Sequence, residues 1–215
     1  MNQTLDYLLS TFKPELARRG GTEIHNINRT IMAKALADLH FTIGAEIGTA
    51  EGYHAKILCE NNPGLKLYCV DIWEKYPGYN EYEAIEKCYE NAQQILKPFN
   101  VQLIKKFSMD AVGDFADNSL DFVYIDGAHD FKNVTMDICE WTKKVRVGGI
   151  IFGHDYKRTS RRSRHKIDVK DVVDAYTYAH GITPWFILTN DMRDPRFGPD
   201  NPGWLIVRQE TDNLT

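Results

Sequence analysis

Apolar residues recur along this chain in two alternating rhythms. Short apolar runs with strand character lie at Phe41–Ile47, Leu65–Val70, Val101–Ile104, Leu120–Ile125, Ile150–Phe152, Trp185–Leu188 and Trp204–Val207. Between most of them the apolar positions fall three or four apart, as on one face of a helix. Ile27, Ile31, Ala35 and Leu39 form one such stripe. Tyr82, Ile85, Tyr89, Ala92 and Leu96 form another, ending before Pro98. Val134, Ile138, Trp141 and Val145 form a third, for which Gly148-Gly149 is the expected stop. Val169, Val172, Val173 and Tyr176 form a fourth, stopped at Gly181. Tyr53–Glu60 reads as a helix closed by the turn Asn61-Asn62-Pro63-Gly64.

This alternation predicts an α/β fold of three layers, with a mostly parallel sheet covered by helices on both faces. No helical pattern separates the last two runs, so that pair is expected to be antiparallel. In such a sheet, ligands bind outside the carboxyl ends of the strands. Here those ends carry Glu46 and Gly48, Asp71, Asp126, and His154 with Asp155.

Composition narrows the classes. The 215 residues suit one domain of moderate size, and 43% hydrophobic with 26% charged residues is ordinary globular usage. No apolar run approaches the roughly 20 residues that span a bilayer. Met1–Ser10 has no Lys or Arg and does not read as a secretory signal. With 26 basic against 30 acidic residues, the net charge of −4 disfavours a nucleic-acid binder. Cys59, Cys69, Cys88 and Cys139 show no C-x-x-C spacing, so they read as free structural thiols in a reducing, cytoplasmic setting.

The segment Gly44-Ala45-Glu46-Ile47-Gly48-Thr49-Ala50-Glu51-Gly52 is a glycine-rich strand-to-helix turn. It lacks both the G-x-G-x-x-G spacing and the Gly-Lys-Ser/Thr ending, so it is neither a dinucleotide fingerprint nor a P-loop. Two acids and no base favour a cationic ligand over a pyrophosphate. Asp71, ending the next strand, is placed to accept ribose hydroxyls. Without a ligand, the same features read as a tight turn and an exposed aspartate.

These segments, with Asp121-Phe122-Val123-Tyr124-Ile125-Asp126-Gly127-Ala128-His129 and Val147-Gly148-Gly149 through Gly153-His154-Asp155-Tyr156, resemble class I S-adenosylmethionine-dependent methyltransferases. The I-D-G-x-H and G-H-D-Y pair is similar to a branch acting on oxygens of small molecules. The resemblance covers residues 41–207. It implies a Rossmann-like methyltransferase fold with seven strands in the order 3-2-1-4-5-7-6, the last antiparallel. It also implies a single catalytic unit over 41–215 behind a helical cap at 1–40, which either covers the cofactor or makes a homodimer contact.

The resemblance also implies roles. Glu46, with Gly48, Thr49 and Gly52, would hold the methionyl part of S-adenosylmethionine. Asp71 would accept the ribose hydroxyls, Ile72 and Trp73 would cover the adenine, and Ser108 with Met109 would line its other side. Asp126 would sit near the sulfonium and the acceptor. A hydroxyl acceptor must lose a proton, which makes His129 and His154 the candidate bases. Related enzymes hold magnesium by acids after the fourth and fifth strands, matched here by Asp126 and Asp155. The flanking residues His154 and Tyr156 depart from that pattern and weigh against the metal.

The stretch 157–166 holds six Lys or Arg in ten residues. It reads either as a solvated loop or as a clamp for an anionic acceptor through Arg161, Arg162 and Arg164. Trp73, Tyr76, Tyr79 and Tyr82 form a second candidate acceptor wall, and the linker 191–202 has no assigned role. The expected function is methylation of a small, anionic or sugar-like acceptor, with no membrane and no nucleic-acid partner. An RNA or protein methyltransferase, a non-catalytic cofactor-binding module and a nicotinamide dehydrogenase are the competing readings.

Overall fold

A computed structural model describes residues 2–76, 84–160, 163, 166–190 and 201–212. Eight strands run through it: β1 (Thr22–Ile24), β2 (Ile43–Ile47), β3 (Lys66–Asp71), β4 (Val101–Lys105), β5 (Leu120–Ile125), β6 (Val145–Gly153), β7 (Phe186–Leu188) and β8 (Gly203–Val207). The helices are α1 (Gln3–Phe12), α2 (Arg29–Asp38), α3 (Tyr53–Asn61), α4 (Ile85–Leu96), α5 (Ser108–Ala111), α6 (Phe131–Lys144) and α7 (Val169–Ala179). A 3₁₀ turn at Val112–Asp114 follows α5.

The strands form one sheet in the order β1-β7-β8-β6-β5-β2-β3-β4. Read from the β4 edge and without β1, this is the order implied by the resemblance. β8 is antiparallel to both β6 and β7, as the missing helix between the last two runs predicts.

The strand count differs from expectation by one. β1, inside the segment expected to be wholly helical, pairs in parallel with β7 through Thr22 and Phe186, Glu23 and Ile187, and Ile24 and Leu188. Ile24 is the one apolar residue of β1, so no apolar run marks it in the sequence.

A second difference concerns Gly148-Gly149. α6 ends at Lys144 and β6 begins at the next residue, so the glycines lie inside the strand. Gly148 has φ +79°, and the β5–β6 register shifts between Leu120 and Phe122. The glycines therefore serve a bulge and not a helix stop. A Cβ on Gly149 would lie 2.4 Å from the Asp121 carbonyl oxygen, so only glycine fits.

The layers follow from strand periodicity. In β5 every residue is buried, and successive side chains face opposite sides. Phe122 and Tyr124 enter a core with Leu36, Leu58 and Leu96, whereas Val123 and Ile125 enter one with Ile138, Trp141 and Val173. Two apolar layers thus clamp the central strands, and the carboxyl ends of these parallel strands are left at one rim. The four cysteines are free, and burial pushes the Cys59 thiol up to about 12, followed in effect by the Glu46 and Glu60 charges. A thiol so placed packs and does not attack.

Candidate active site

The carboxyl ends of β2, β3, β5 and β6 surround a cleft of about 710 Å³. Its floor is a close crossing of two turns. Gly48, at φ +88°, donates its N–H to the Val70 carbonyl (2.9 Å), and Asp126 N–H bonds to the Ile47 carbonyl (2.8 Å). A Cβ on Gly48 would sit 2.2 Å from the Asp126 carbonyl oxygen, so a side chain is excluded by contact as well as by φ.

Asp71 organises the turn above this floor. Its Oδ2 accepts from Ala50 N–H (2.8 Å) and its Oδ1 from Trp73 N–H (2.9 Å). Asp71, Ile72, Gly48 and Thr49 all line the cleft.

Two expected cofactor residues do not line it. Trp73 is 0% exposed, lies against Tyr89 with centroids 4.8 Å apart, and donates from Nε1 to the Ala50 carbonyl (2.8 Å). It is a pin beneath the turn and not a cover for a base. Gly52 caps α3 at φ +80°, with Leu96 against the place of its missing side chain.

Glu46 lines the cleft yet is only 1% exposed. Its Oε1 lies 2.7 Å from Nδ1 of His54, whose ring packs on Tyr124 at 4.0 Å. His54 has no motif around it in the sequence. Only the crossing of α3 over β2 brings it to Glu46. Arg29, the first residue of α2, also reaches the cleft, from a segment without any recognisable signature.

Asp126, His129, His154 and Asp155 meet at one end. Nε2 of His129 lies 3.3 Å from Asp126 Oδ1 and 3.1 Å from Asp155 Oδ2, bridging acids from two strand ends. Nδ1 of His154 lies 3.6 Å from Asp155 Oδ1. Tyr124 donates its hydroxyl to Asp126 Oδ2 (3.1 Å), and Asn201 donates to Asp155 Oδ1. Asp155 is held at φ +55°, a strained conformation for a non-glycine residue. Burial works to raise both carboxyls, but the His129 hydrogen bond and the two imidazoles outweigh it. Asp126 is held below the usual carboxylate range and Asp155 well below it. Asp126, His154 and Asp155 each offer a donor atom within 4.8 Å of the others.

The cleft is also lined by Ser108, Met109 and Asp137. Trp141 donates from Nε1 to Ser108 Oγ (2.7 Å), and the Ser108 hydroxyl donates to Asp137 Oδ1 (2.5 Å). Burial, with a smaller contribution from Asp130 against the lowering Ser108 bond, pushes Asp137 up to about 6. Asp137 belongs to none of the sequence motifs, and its one local mark is that an acid on the inward side of α6, next to Ile138, interrupts the apolar stripe.

Residues 45–156 match the family described as "Methyltransferase domain". The chain belongs to that family. A curated relative, the uncharacterised protein y4gI of Sinorhizobium fredii, is 25% identical over 116 residues, covering 51% of this chain. The match spans only 12% of that protein's length. Among solved structures, the cofactor-bound protein Rv0187 from MTB aligns with a TM-score of 0.64 at 16% identity, over 98% of this chain and 92% of the other. An O-methyltransferase from Bacillus cereus in complex with SAH aligns with a TM-score of 0.62 at 16% identity, over 97% and 92%. At such identities the likeness is one of fold.

Within this methyltransferase domain, several expected acceptor contacts fall on undescribed residues. Arg161, Arg162, Arg164, Tyr79, Tyr82 and most of the 191–202 linker lie outside the described residues. Of the basic stretch, Lys157 Nζ lies 3.6 Å from Asp155 and Arg158 pairs with Asp171 at 3.1 Å. Tyr76 packs edge-on against Phe107 at the rim of the cleft. Among the described residues no helix is long and apolar enough to cross a membrane.

Proposed function

We propose that this methyltransferase domain uses S-adenosylmethionine to methylate an oxygen of a small molecule. One observation carries the reading: Glu46, Asp71 and Asp126, from three adjacent parallel strands, face one cleft over a floor with no room for a Gly48 side chain. When bound, the cofactor supplies an electrophilic methyl group. Glu46 and Asp126 would offset its ammonium and sulfonium charges, and Asp71 would accept from its ribose. A cleft of about 710 Å³ has room for a nucleoside and a small acceptor, which supports a small-molecule substrate.

His129 would take the acceptor's proton. Asp126 and Asp155 orient its ring and stabilise the imidazolium that results, while His154 holds Asp155 from the far side. Alignment of acceptor, methyl and sulfur would do the rest. The methylated atom is assigned to oxygen because a hydroxyl needs the base this end provides.

A second reading gives Asp126, His154 and Asp155 to a divalent ion, favoured by their closeness. An imidazole in that set suits manganese or zinc better than magnesium. Such an ion would polarise the acceptor oxygen and replace His129 as its activator.

Isothermal titration tests both. Adenosylhomocysteine is expected to bind and NAD not to bind, and Asp71→Ala should weaken the former by roughly tenfold or more. NAD binding, or no binding of adenosylhomocysteine, overturns the cofactor assignment. Titration with Mg²⁺ and then Mn²⁺ distinguishes the two activation readings. No uptake leaves His129 as the base, whereas stoichiometric uptake that Asp155→Ala abolishes gives the trio to a metal.

A further inference from the structure

Two acids hold the ring of His129, and a third acid, outside every sequence motif, holds its main chain. Nε2 lies 3.3 Å from Asp126 Oδ1 and 3.1 Å from Asp155 Oδ2. Facing two carboxylates, Nε2 carries the ring proton, which makes Nδ1 the basic nitrogen of the neutral imidazole. Nδ1 is bonded to Cγ, near the backbone. Its place in the site therefore depends on where the chain sets the His129 Cα.

The chain here is the turn from β5 into α6. Asp130 caps α6 by accepting from Lys132 N–H (3.1 Å) and Asn133 N–H (3.3 Å). Asp168 grips the residue on either side of that cap. Its N–H donates to the His129 carbonyl (2.9 Å), and its Oδ2 accepts from Phe131 N–H (3.2 Å). Asp168 is itself fixed. Its carbonyl accepts from Val172 N–H (3.2 Å) in the first turn of α7, and α7 buries Val169, Val172 and Val173 in the core that holds Ile138 and Trp141 of α6. The grip thus comes from a packed helix. The same residue closes the basic stretch. Thr159 N–H donates to the Ile167 carbonyl and Ile167 N–H to Thr159 Oγ1, both at 2.9 Å. The chain therefore leaves the site at Asp155, which touches the His129 ring, and returns at Asp168, which holds the His129 carbonyl.

We propose that Asp168 is the positioning residue of His129, setting where the imidazole stands between Asp126 and Asp155. This rests on the reading of His129 as the acceptor's base. Asp168 does not belong to the cleft lining, so it acts through the turn and not on a ligand. A carboxylate that only capped α6 would support the helix and leave the imidazole where it is. A positioning carboxylate moves the imidazole when it is lost.

The experiment is two-dimensional NMR of protein labelled with ¹⁵N-histidine, at pH 7.5, with and without adenosylhomocysteine. His129→Gln identifies the His129 ring signals by their loss. Asp168→Ala should displace those signals and leave the His54 signals at their wild-type positions, with adenosylhomocysteine bound within about twofold of wild type. Asp168→Asn, whose amide oxygen still accepts from Phe131, should restore the wild-type His129 signals. If Asp168→Ala does not fold, Asp168→Glu replaces it, and its longer arm should displace the same signals. His129 signals unmoved by loss of the carboxylate overturn the proposal. Signals of His129 and His54 moving together with a lower melting temperature also overturn it, and reduce Asp168 to a helix cap. Failure of the underlying reading shows separately: stoichiometric metal uptake unseats His129 as the activator, while the His129 signals still decide the role of Asp168.

Discussion

Asp137 carries a penalty in the free protein that follows from its burial. Its carboxyl titrates at about 6 in the folded chain, against an ordinary value of 3.8. The sign is that of a raised acid. Below pH 3.8 the group is protonated in folded and unfolded chains alike and costs nothing. As pH rises toward and past 6, the folded chain must hold a charge that the unfolded chain holds more easily. The difference is worth about 3 kcal/mol. Asp137→Asn should therefore raise the unfolding free energy by roughly 2–3 kcal/mol at pH 8 and by nothing near pH 3.5. Urea unfolding at the two pH values measures it. A gain independent of pH would place the cause in packing.

Among the elements, the turn from β2 into α3 and the end of β3 act as one piece. Asp71 holds Ala50 and Trp73 by their N–H groups, and the Trp73 indole returns to the Ala50 carbonyl. Trp73 thus supports the cofactor turn from beneath, although it touches no part of the cleft. Trp73→Phe keeps a ring against Tyr89 and removes the bond to Ala50. It should cost about 1–3 kcal/mol of stability and weaken adenosylhomocysteine binding several-fold, because the half-buried Ala50 carbonyl loses this partner and the turn loosens. Thermal melting and calorimetry separate the effects. Lost stability with unchanged affinity would reduce Trp73 to a core residue.

For the molecule as a whole, the N-terminal segment is tied into the sheet. Thr4 donates its hydroxyl to the Gly148 carbonyl, Asn2 donates to the Arg208 carbonyl, and Leu8 is buried. β1 completes the β7 edge. A chain lacking residues 2–24 leaves Phe186 and Leu188 at an uncovered edge. It should melt roughly 10 °C or more below the intact protein. An unchanged melting temperature would make the segment an appendage.

Periodicity made seven of the eight strands and the charged strand ends readable from the sequence, while their order was legible only through the resemblance to a known family. A strand alternates every second residue and a helix every third or fourth, whatever surrounds them. The Gly48 turn and the strand-end acids Asp71 and Asp126 were readable for the same local reason. Contacts between distant segments were not. Whether Trp73 faces the ligand or the core depends on how two loops meet. His54 reaching Glu46, His129 lying between acids from two strands, and Asp137 lining the cleft from α6 all arise from sheet order and helix crossing. No stretch of chain encodes those distances locally, so folding alone sets which charges see one another.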